Sequence, residues 1–327
     1  MNYKVILTAF ILALAGCDYK SNVKVLRVGH TLDTKHVVHQ GLVHLAEKVE
    51  QYSEGKLKLR IYPSGQLGSE RQLVELLQIG SLAITKVSAA TLEGFVDDMR
   101  LFGLPYVFSS RDHRWQVLES DIGHDILQSL NEANISGLGY FDAGSRSFYI
   151  CDKPISSPED ISGLKIRVMN SRNAVNMVDA FGGSATPISW GELYAALQQG
   201  VVDGAENNPP SFYSSRHYEI CNNYTLNEHT SIPDVIIASK HIVSQLSAEE
   251  NQWLSLAMND AVEFQKGLWL AAENNALAEV KKFGVNVVYP DKKPFMDAVS
   301  SLHDEYKGTV VGEYLTRIKR LENEEVQ

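Results

Sequence analysis

The stretch ISGLKIRVMNSRN, residues 161–173, puts a charged side chain inside a short strand that runs straight into a helix start. Leu164, Ile166 and Val168 alternate with Lys165, Arg167 and Met169, the period-two pattern of a half-buried strand with Arg167 on its second face. Asn170 and Ser171 carry N-cap chemistry, and Val175, Val178 and Phe181 follow at helical spacing. A guanidinium at a strand end, beside the free amides of a helix N-terminus, is a good place for an anion. Taken alone, Arg167 reads first as a surface residue in a salt bridge, because most charges in proteins are solvated.

Working outward, strand and helix patterns alternate on both sides of this segment. VLRVGH and KLKLRIYP read as strands flanking a helix from about 36 to 52, with Val38, Leu42, Leu45 and Val49 on one face. In SGQLGSERQLVELLQIG, Ser69 and Gln72 make a capping box, a helix begins at Glu70, and Gly80 sits at its stop. SLAITKVSAA is the next strand, and LFGLPYVFSSRDH is a loop leading to a helix near 112–130. The grammar then repeats. GLGYFDAGSRSFYICDK reads as one long strand segment, SPEDISG as a one-turn helix with Pro158 in its first turn, and ISWGELYAALQQG as a helix with a Ser189/Glu192 capping box and Gly200 as terminator. A third box, Ser247 with Glu250, opens a helical run to about Phe283, on the order of 50 Å long. That exceeds the width of one domain of this size, so the helix is expected to bridge two α/β halves with a ligand cleft between them.

The 327 residues, 44% of them hydrophobic, suffice for one large domain or two medium ones. Forty acidic residues against thirty basic ones, with no Lys/Arg-dense run, speak against nucleic acid or an anionic membrane as partner. Lys4 and the apolar run VILTAFILALAG, residues 5–16, form a secretory signal too short to span a bilayer. The run ends in Leu14-Ala15-Gly16-Cys17, which resembles the bacterial lipobox, so residues 1–16 read as a lipoprotein signal peptide with Cys17 as lipid anchor. A soluble periplasmic protein cut after Ala15 is the competing reading. Cys151 and Cys221 remain in a compartment that permits disulfides, and their pairing is left open.

With these residues in view, the chain resembles the solute-binding proteins of the tripartite ATP-independent periplasmic (TRAP) transporters, the DctP-type family. The segments that carry the resemblance are YPSGQLGSERQLVELLQIGSLAI, LPYVF, GLKIRVMNS, ELYAALQQGVVDGAENN and EHTSIPDVIIASK, from about residue 25 to 240, in an order and spacing that are specific together. The resemblance implies an α/β, two-lobed periplasmic binding fold that closes on a carboxylate-bearing solute and docks, as a monomer, to a membrane permease driven by an ion gradient. It places lobe I at residues 23–143 plus 233–272 and lobe II at 144–232 plus 273–327. It implies Arg167, in GLKIRV, as the carboxylate ligand, in keeping with the bidentate grip of a planar guanidinium. Arg146 in AGSRSF would touch the same carboxylate or a neighbouring oxygen, Asn207 in DGAENN would be the amide ligand, and Trp190 would stack on the solute's apolar face. Against these stand plainer roles: Arg146 paired with Asp142, Asn207 capping a turn, and Trp190 in the core. LGSE and DGAENNPPSFYSS resemble a sugar-acid branch of the family, hexuronate- or aldonate-binding, in which Glu70, His30, Lys86 and Ser88 of the first lobe would read hydroxyl groups. Relatives with other ligands carry an acid near VSA where this chain has Ser88, which argues against amino-sugar acids. The rival within the class is a small dicarboxylate, with one arginine on each carboxylate.

An enzyme is not expected. The sequence has no G-x-S-x-G elbow and no phosphate-binding G-x-x-x-x-G-K-[ST] loop, and GLGYFD lacks the third glycine of a dinucleotide fingerprint. His36, His39 and His44 with Glu47 fall in one helix, but His44 lies off the face of the other two, so neither zinc nor another cofactor is expected. A sensor of the same solute, signalling to a chemoreceptor or kinase, shares the closure physics and remains the alternative outside transport.

Overall fold

The computed structural model describes residues 23–325; the apolar run 5–16 and Cys17 lie outside them. Among the described residues, strands gather into two sheets. The first contains β1 (Lys24–Gly29), β2 (Leu57–Tyr62), β3 (Ile84–Ser88), β4 (Ile135–Phe141) and, returning late in the chain, β10 (Asp234–Ser239), in the order β2-β1-β3-β10-β4. The second contains β5 (Arg146–Ile150), β6 (Lys165–Val168), β7 (Ser184–Pro187), β8 (Gly204–Asn207), β9 (Asn223–Thr230) and β11 (Asn286–Val288), in the order β11-β9-β5-β8-β6-β7. In each sheet, parallel strands linked through helices sit beside antiparallel strands contributed by a crossover.

The helices follow the apolar spacing. In α1 (Val37–Tyr52), Val38, Leu42, Leu45 and Val49 are all buried, and His36 caps the start by accepting from the Val38 amide. In α2 (Glu70–Gln78), the Ser69/Gln72 capping box forms, and Gly80 beyond its end adopts φ +73°, a left-handed turn that favours glycine. The helix expected near 112–130 is two helices, α3 (Arg111–Glu119) and α4 (Asp121–Ser129). Ser120 breaks it by taking an extended backbone and capping the second helix through its hydroxyl. In α5 (Arg172–Ala180), the cap is Ser171. In α6 (Trp190–Gln198), the Ser189/Glu192 box does not form: Ser189 makes no side-chain cap bond, and Glu192 instead faces a cavity mouth. The short α7 (Pro209–Ser214) is capped by Asn208. The Ser247/Glu250 box opens α8 (Ala248–Lys282), whose 35 residues span about 50 Å. Its first half, through Trp269, packs in the first sheet's core with Leu42, Leu45 and Phe141, while Val280 joins the second sheet's core with Tyr149 and Leu197. The last helix, α9 (Val310–Glu325), packs against α3 and α4.

The segment expected as one long strand, 137–153, is β4 and β5 in different sheets, joined by a crossover at 142–145. The crossover is clamped. Gln265 of α8 accepts from the Asp142 amide at 2.7 Å and donates to its carbonyl at 2.8 Å. The Asp142 carboxylate, fully buried, accepts from Arg114, Arg111, Trp115 and the Gly144 amide. At Gly144, φ is +58° and an added Cβ would lie 2.7 Å from the Trp269 indole nitrogen, so glycine is required twice over. The return crossing is tied to the first by Ser145 and Ser231, whose hydroxyls lie 2.9 Å apart. Cys151, just past β5, is bonded to Cys221, closing a loop of 70 residues and stabilising the fold by about 2–4 kcal/mol.

β6 lies between β8 and β7, parallel to both, and three of its four residues are buried. The alternation expected for a half-buried strand therefore gives way to Lys165 exposed and Ile166, Arg167 and Val168 all buried.

Two outcomes are expected of the fold. Asp142→Ala leaves buried Arg114 without its acid and should cost about 3–5 kcal/mol, read as a lower urea midpoint at unchanged slope. Glu93, which follows β3, reaches the start of α5, where the Ser171 hydroxyl donates to its two oxygens at 2.9 and 2.8 Å. Burial pushes its carboxyl up to about 7, against the hydrogen bonds from Ser171. The folded state therefore holds a proton that the unfolded chain has released, and this group's contribution to stability falls as pH rises from about 4.5 to 7. Chemical denaturation of Glu93→Gln beside the wild type should show that part of the slope removed.

Candidate functional site

Between the sheets lies a cavity of about 890 Å³, within the range of small-molecule sites. The second sheet contributes Arg146 at the start of β5, Arg167 in β6 and Asn207 at the end of β8, with Trp190 from the first turn of α6. The first contributes Lys86 and Ser88 from β3, Glu70 from the first turn of α2, and Asp234 at the start of β10. Seven of the eight residues singled out in the sequence are thus brought onto one wall system. His30 is not. It is fully buried, with Nε2 2.9 Å from His39 Nδ1, and forms no part of the cavity lining.

Arg167 is 2% exposed. Its Nε donates to the Ile188 carbonyl at 2.8 Å, while neither Nη has a hydrogen-bond partner and Nη1 is completely buried. No carboxylate lies within salt-bridge distance, so the surface salt bridge of the plainer reading is absent among the described residues. Burial pulls its pKa below the ordinary arginine value, yet a guanidinium stays protonated under any working condition. His217 beside it is held neutral, at about 3, by burial and by the Arg167 charge, and its Nδ1 is 2.8 Å from the Tyr149 hydroxyl. The Trp190 ring lies 5.1 Å from the His217 ring and also edges the cavity.

Arg146 is differently placed. It does not pair with Asp142, which belongs to Arg111 and Arg114. Its Nε and Nη2 grip the Glu206 carboxylate at 2.5 and 2.8 Å, Nη2 also donates to the Glu206 carbonyl, and Nη1 donates to Asn207 Oδ1 at 2.8 Å. Burial raises Glu206, but the Arg146 charge and the bonds from His229 and Arg146 outweigh it and hold the carboxyl at about 2. Arg146 therefore arrives neutralised, with one Nη1 hydrogen left. Asn207 Oδ1 is taken by Arg146 and by the Asn208 amide, which leaves its NH2 group for a solute; the capping role falls to Asn208.

On the other wall Lys86, 2% exposed, is bound by Glu70 Oε1 at 3.1 Å and Asp234 Oδ1 at 3.0 Å. Burial lowers its pKa, but the two carboxylates more than reverse that. Glu70 is also filled by the Ser88 amide and the Thr91 hydroxyl, so despite burial it falls below the usual carboxylate range. Asp234 has only Lys86 as donor, and burial together with the Glu70 charge pushes it up. Glu206 and Asp234 were not singled out in the sequence. Each lies inside a motif quoted for other residues, and only strand pairing places them, Glu206 opposite Phe148 and Asp234 opposite Ser88. Of the histidines on α1's edge, His36 caps the helix and has Nε2 3.2 Å from Ser211 Oγ, His39 pairs with His30, and His44 stacks on Phe264.

Comparison with known proteins places this arrangement. The structure superposes with a TM-score of 0.90 on a TRAP periplasmic solute-binding protein of Anaerococcus prevotii with bound D-glucuronate, 38% identical over 92% of this chain and 99% of that one. A TRAP periplasmic solute-binding protein of Xanthobacter autotrophicus with bound β-D-galacturonate gives a TM-score of 0.88 at 33% identity, covering 90% and 99%. Among curated proteins, the sialic acid-binding periplasmic protein SiaP of Vibrio cholerae is 30% identical, over 93% of this chain and 95% of its own. The model of bacterial extracellular solute-binding proteins, family 7, matches residues 28–309. The chain belongs to that family, DctP.

Proposed function

We propose that this protein captures a monocarboxylate sugar acid, a hexuronate or aldonate, between its lobes outside the cytoplasmic membrane and hands it to the membrane permease of a TRAP transporter. The observation that carries the reading is Arg167, a buried cation on the cavity wall with two unpartnered Nη nitrogens. A carboxylate placed there receives a bidentate pair of charge-assisted bonds, each contributing about 1.5–3 kcal/mol in a water-excluded cleft. The remaining Nη1 hydrogen of Arg146 and the Asn207 NH2 group reach neighbouring oxygens, and Trp190 covers an apolar face of the solute. The uronates bound by the two solved relatives support this solute class. The small-dicarboxylate reading needs a second free arginine, and Arg146 is already gripped by Glu206. The lobes move as 23–143 plus 233–272 against 144–232 plus 273–327, the protein works as a monomer, and Cys17 carries the lipid that keeps it at the membrane. Mass spectrometry of the native N-terminus tests the anchor, and a permease gene beside this one favours transport over sensing.

Two measurements test the reading. In a thermal-shift screen of residues 18–327, glucuronate, galacturonate or an aldonate at about 100 times its Kd should add roughly 2.7 kcal/mol and raise Tm, whereas succinate should not. A shift with succinate alone would sink the sugar-acid reading. In calorimetry, Arg167→Met should weaken binding by about a hundredfold or more, the loss of two charge-assisted bonds. The apo variant should be as stable as the wild type or more so, since it removes an unpaired buried charge; unchanged affinity in a folded Arg167→Met would overturn the site.

A further inference from the structure

The two walls of the cavity differ in charge. On the second-sheet side, Glu206 cancels Arg146 and leaves Arg167 with no carboxylate in contact, the remaining acid there, Glu192, being exposed at the mouth. On the first-sheet side, one ammonium, Lys86, serves two carboxylates, so that side carries one negative charge in excess. The excess has an address. Glu70 accepts from Lys86, the Ser88 amide at 3.2 Å and the Thr91 hydroxyl at 2.7 Å, which engages both of its oxygens. Asp234, also on the cavity wall and 7% exposed, accepts from Lys86 through Oδ1 alone, and its Oδ2 has no hydrogen-bond partner. Arg71, the other lining cation, is exposed and paired with Glu75 on its own helix.

We infer that Asp234 is a specificity-determining residue of this cleft: its free Oδ2 accepts hydroxyl hydrogens of the bound acid and repels a second carboxylate at the end remote from Arg167. The assignment rests on the reading that Arg167 holds the solute's carboxylate. It moves the hydroxyl-reading role expected of Glu70, which already accepts three bonds, to a residue with an oxygen that accepts none. The physical asymmetry is large: a carboxylate aimed at a hydroxyl gains a charge-assisted bond, while the same oxygen facing a like charge across a low-dielectric gap is strongly unfavourable. An apolar or saturated wall would discriminate weakly, and a buried acceptor left unpaired discriminates strongly.

The experiment compares D-glucuronate with D-glucarate, the open-chain diacid in which C1 of the same sugar is oxidised to a second carboxylate, by calorimetry on the wild type, Asp234→Asn and Asp234→Ser. Asparagine keeps the size and leaves a carbonyl for Lys86, whose charge is still met by Glu70; serine serves if asparagine folds poorly. The wild type should prefer glucuronate, and both variants should lose glucuronate affinity while the glucuronate-to-glucarate ratio falls by about tenfold or more. A purely structural role would weaken both acids together and leave the ratio in place, and that result overturns the assignment. A wild type that binds succinate and neither sugar acid overturns the sugar-acid reading itself, a different failure from an unchanged ratio.

Discussion

A guanidinium taken out of water without a counter-ion is the constraint around which this molecule is organised. Burying Arg167 costs several kcal/mol, and among the described residues no carboxylate is in contact to offset it; Glu206 and Glu70 act only from a distance. The fold accepts that cost in one place and removes rivals for the anion elsewhere. His217 is kept neutral beside it, Arg146 is tied to Glu206, and Lys86 is shared between two acids. Binding energy is thereby concentrated on one side of the cavity. The solute completes a charge pair that folding left open, and preorganisation of this kind raises affinity without adding contact area.

The crossover at 142–145 makes the two walls one site. Asp142 is held by two arginines, an indole and the backbone of the following turn, and Gln265 fastens its peptide to the middle of the long helix. The next residues, Ala143 and Arg146, are already on the cavity wall. The alignment of Arg146 with Glu206 is thus inherited from a heavily bonded turn of the backbone, and the Ser145–Ser231 contact passes it to the return strand carrying Asp234.

Much of this was legible in the residue pattern. Two of three capping boxes form as read, the apolar face of α1 is the buried one, and the long helix crosses from one core to the other. The failures share a cause, which is that periodicity reports on neighbours along the chain and not across it. Lys165 to Val168 reads as half-buried because nothing local says that α5 will pack over Ile166 and Val168 while Arg167, on the other face, lines the cavity. The 137–153 segment reads as one strand because a change of sheet leaves no trace in strand propensity, only the Gly144 that permits it. Glu70 is expected to read hydroxyl groups because LGSE resembles the sugar-acid branch, a signal that says nothing of the bonds its carboxylate makes. Which of its oxygens were already occupied depended on Thr91 and Ser88, and the competing role of Asp234 depended on a strand about 150 residues away.

The histidines near the cleft have a consequence for where such a protein works. His30, His36 and His217 all sit at about 3, driven down chiefly by loss of water and further by Lys86 or Arg167. Glu206 at about 2 is ionised throughout the same range. A family of extracytoplasmic proteins meets whatever acidity the surrounding medium imposes, without the buffering of the cell interior. Side chains that ordinarily switch between pH 5 and 8 are here switched off in advance, so these three histidines add no charge near Arg167 while the outside world acidifies or turns alkaline.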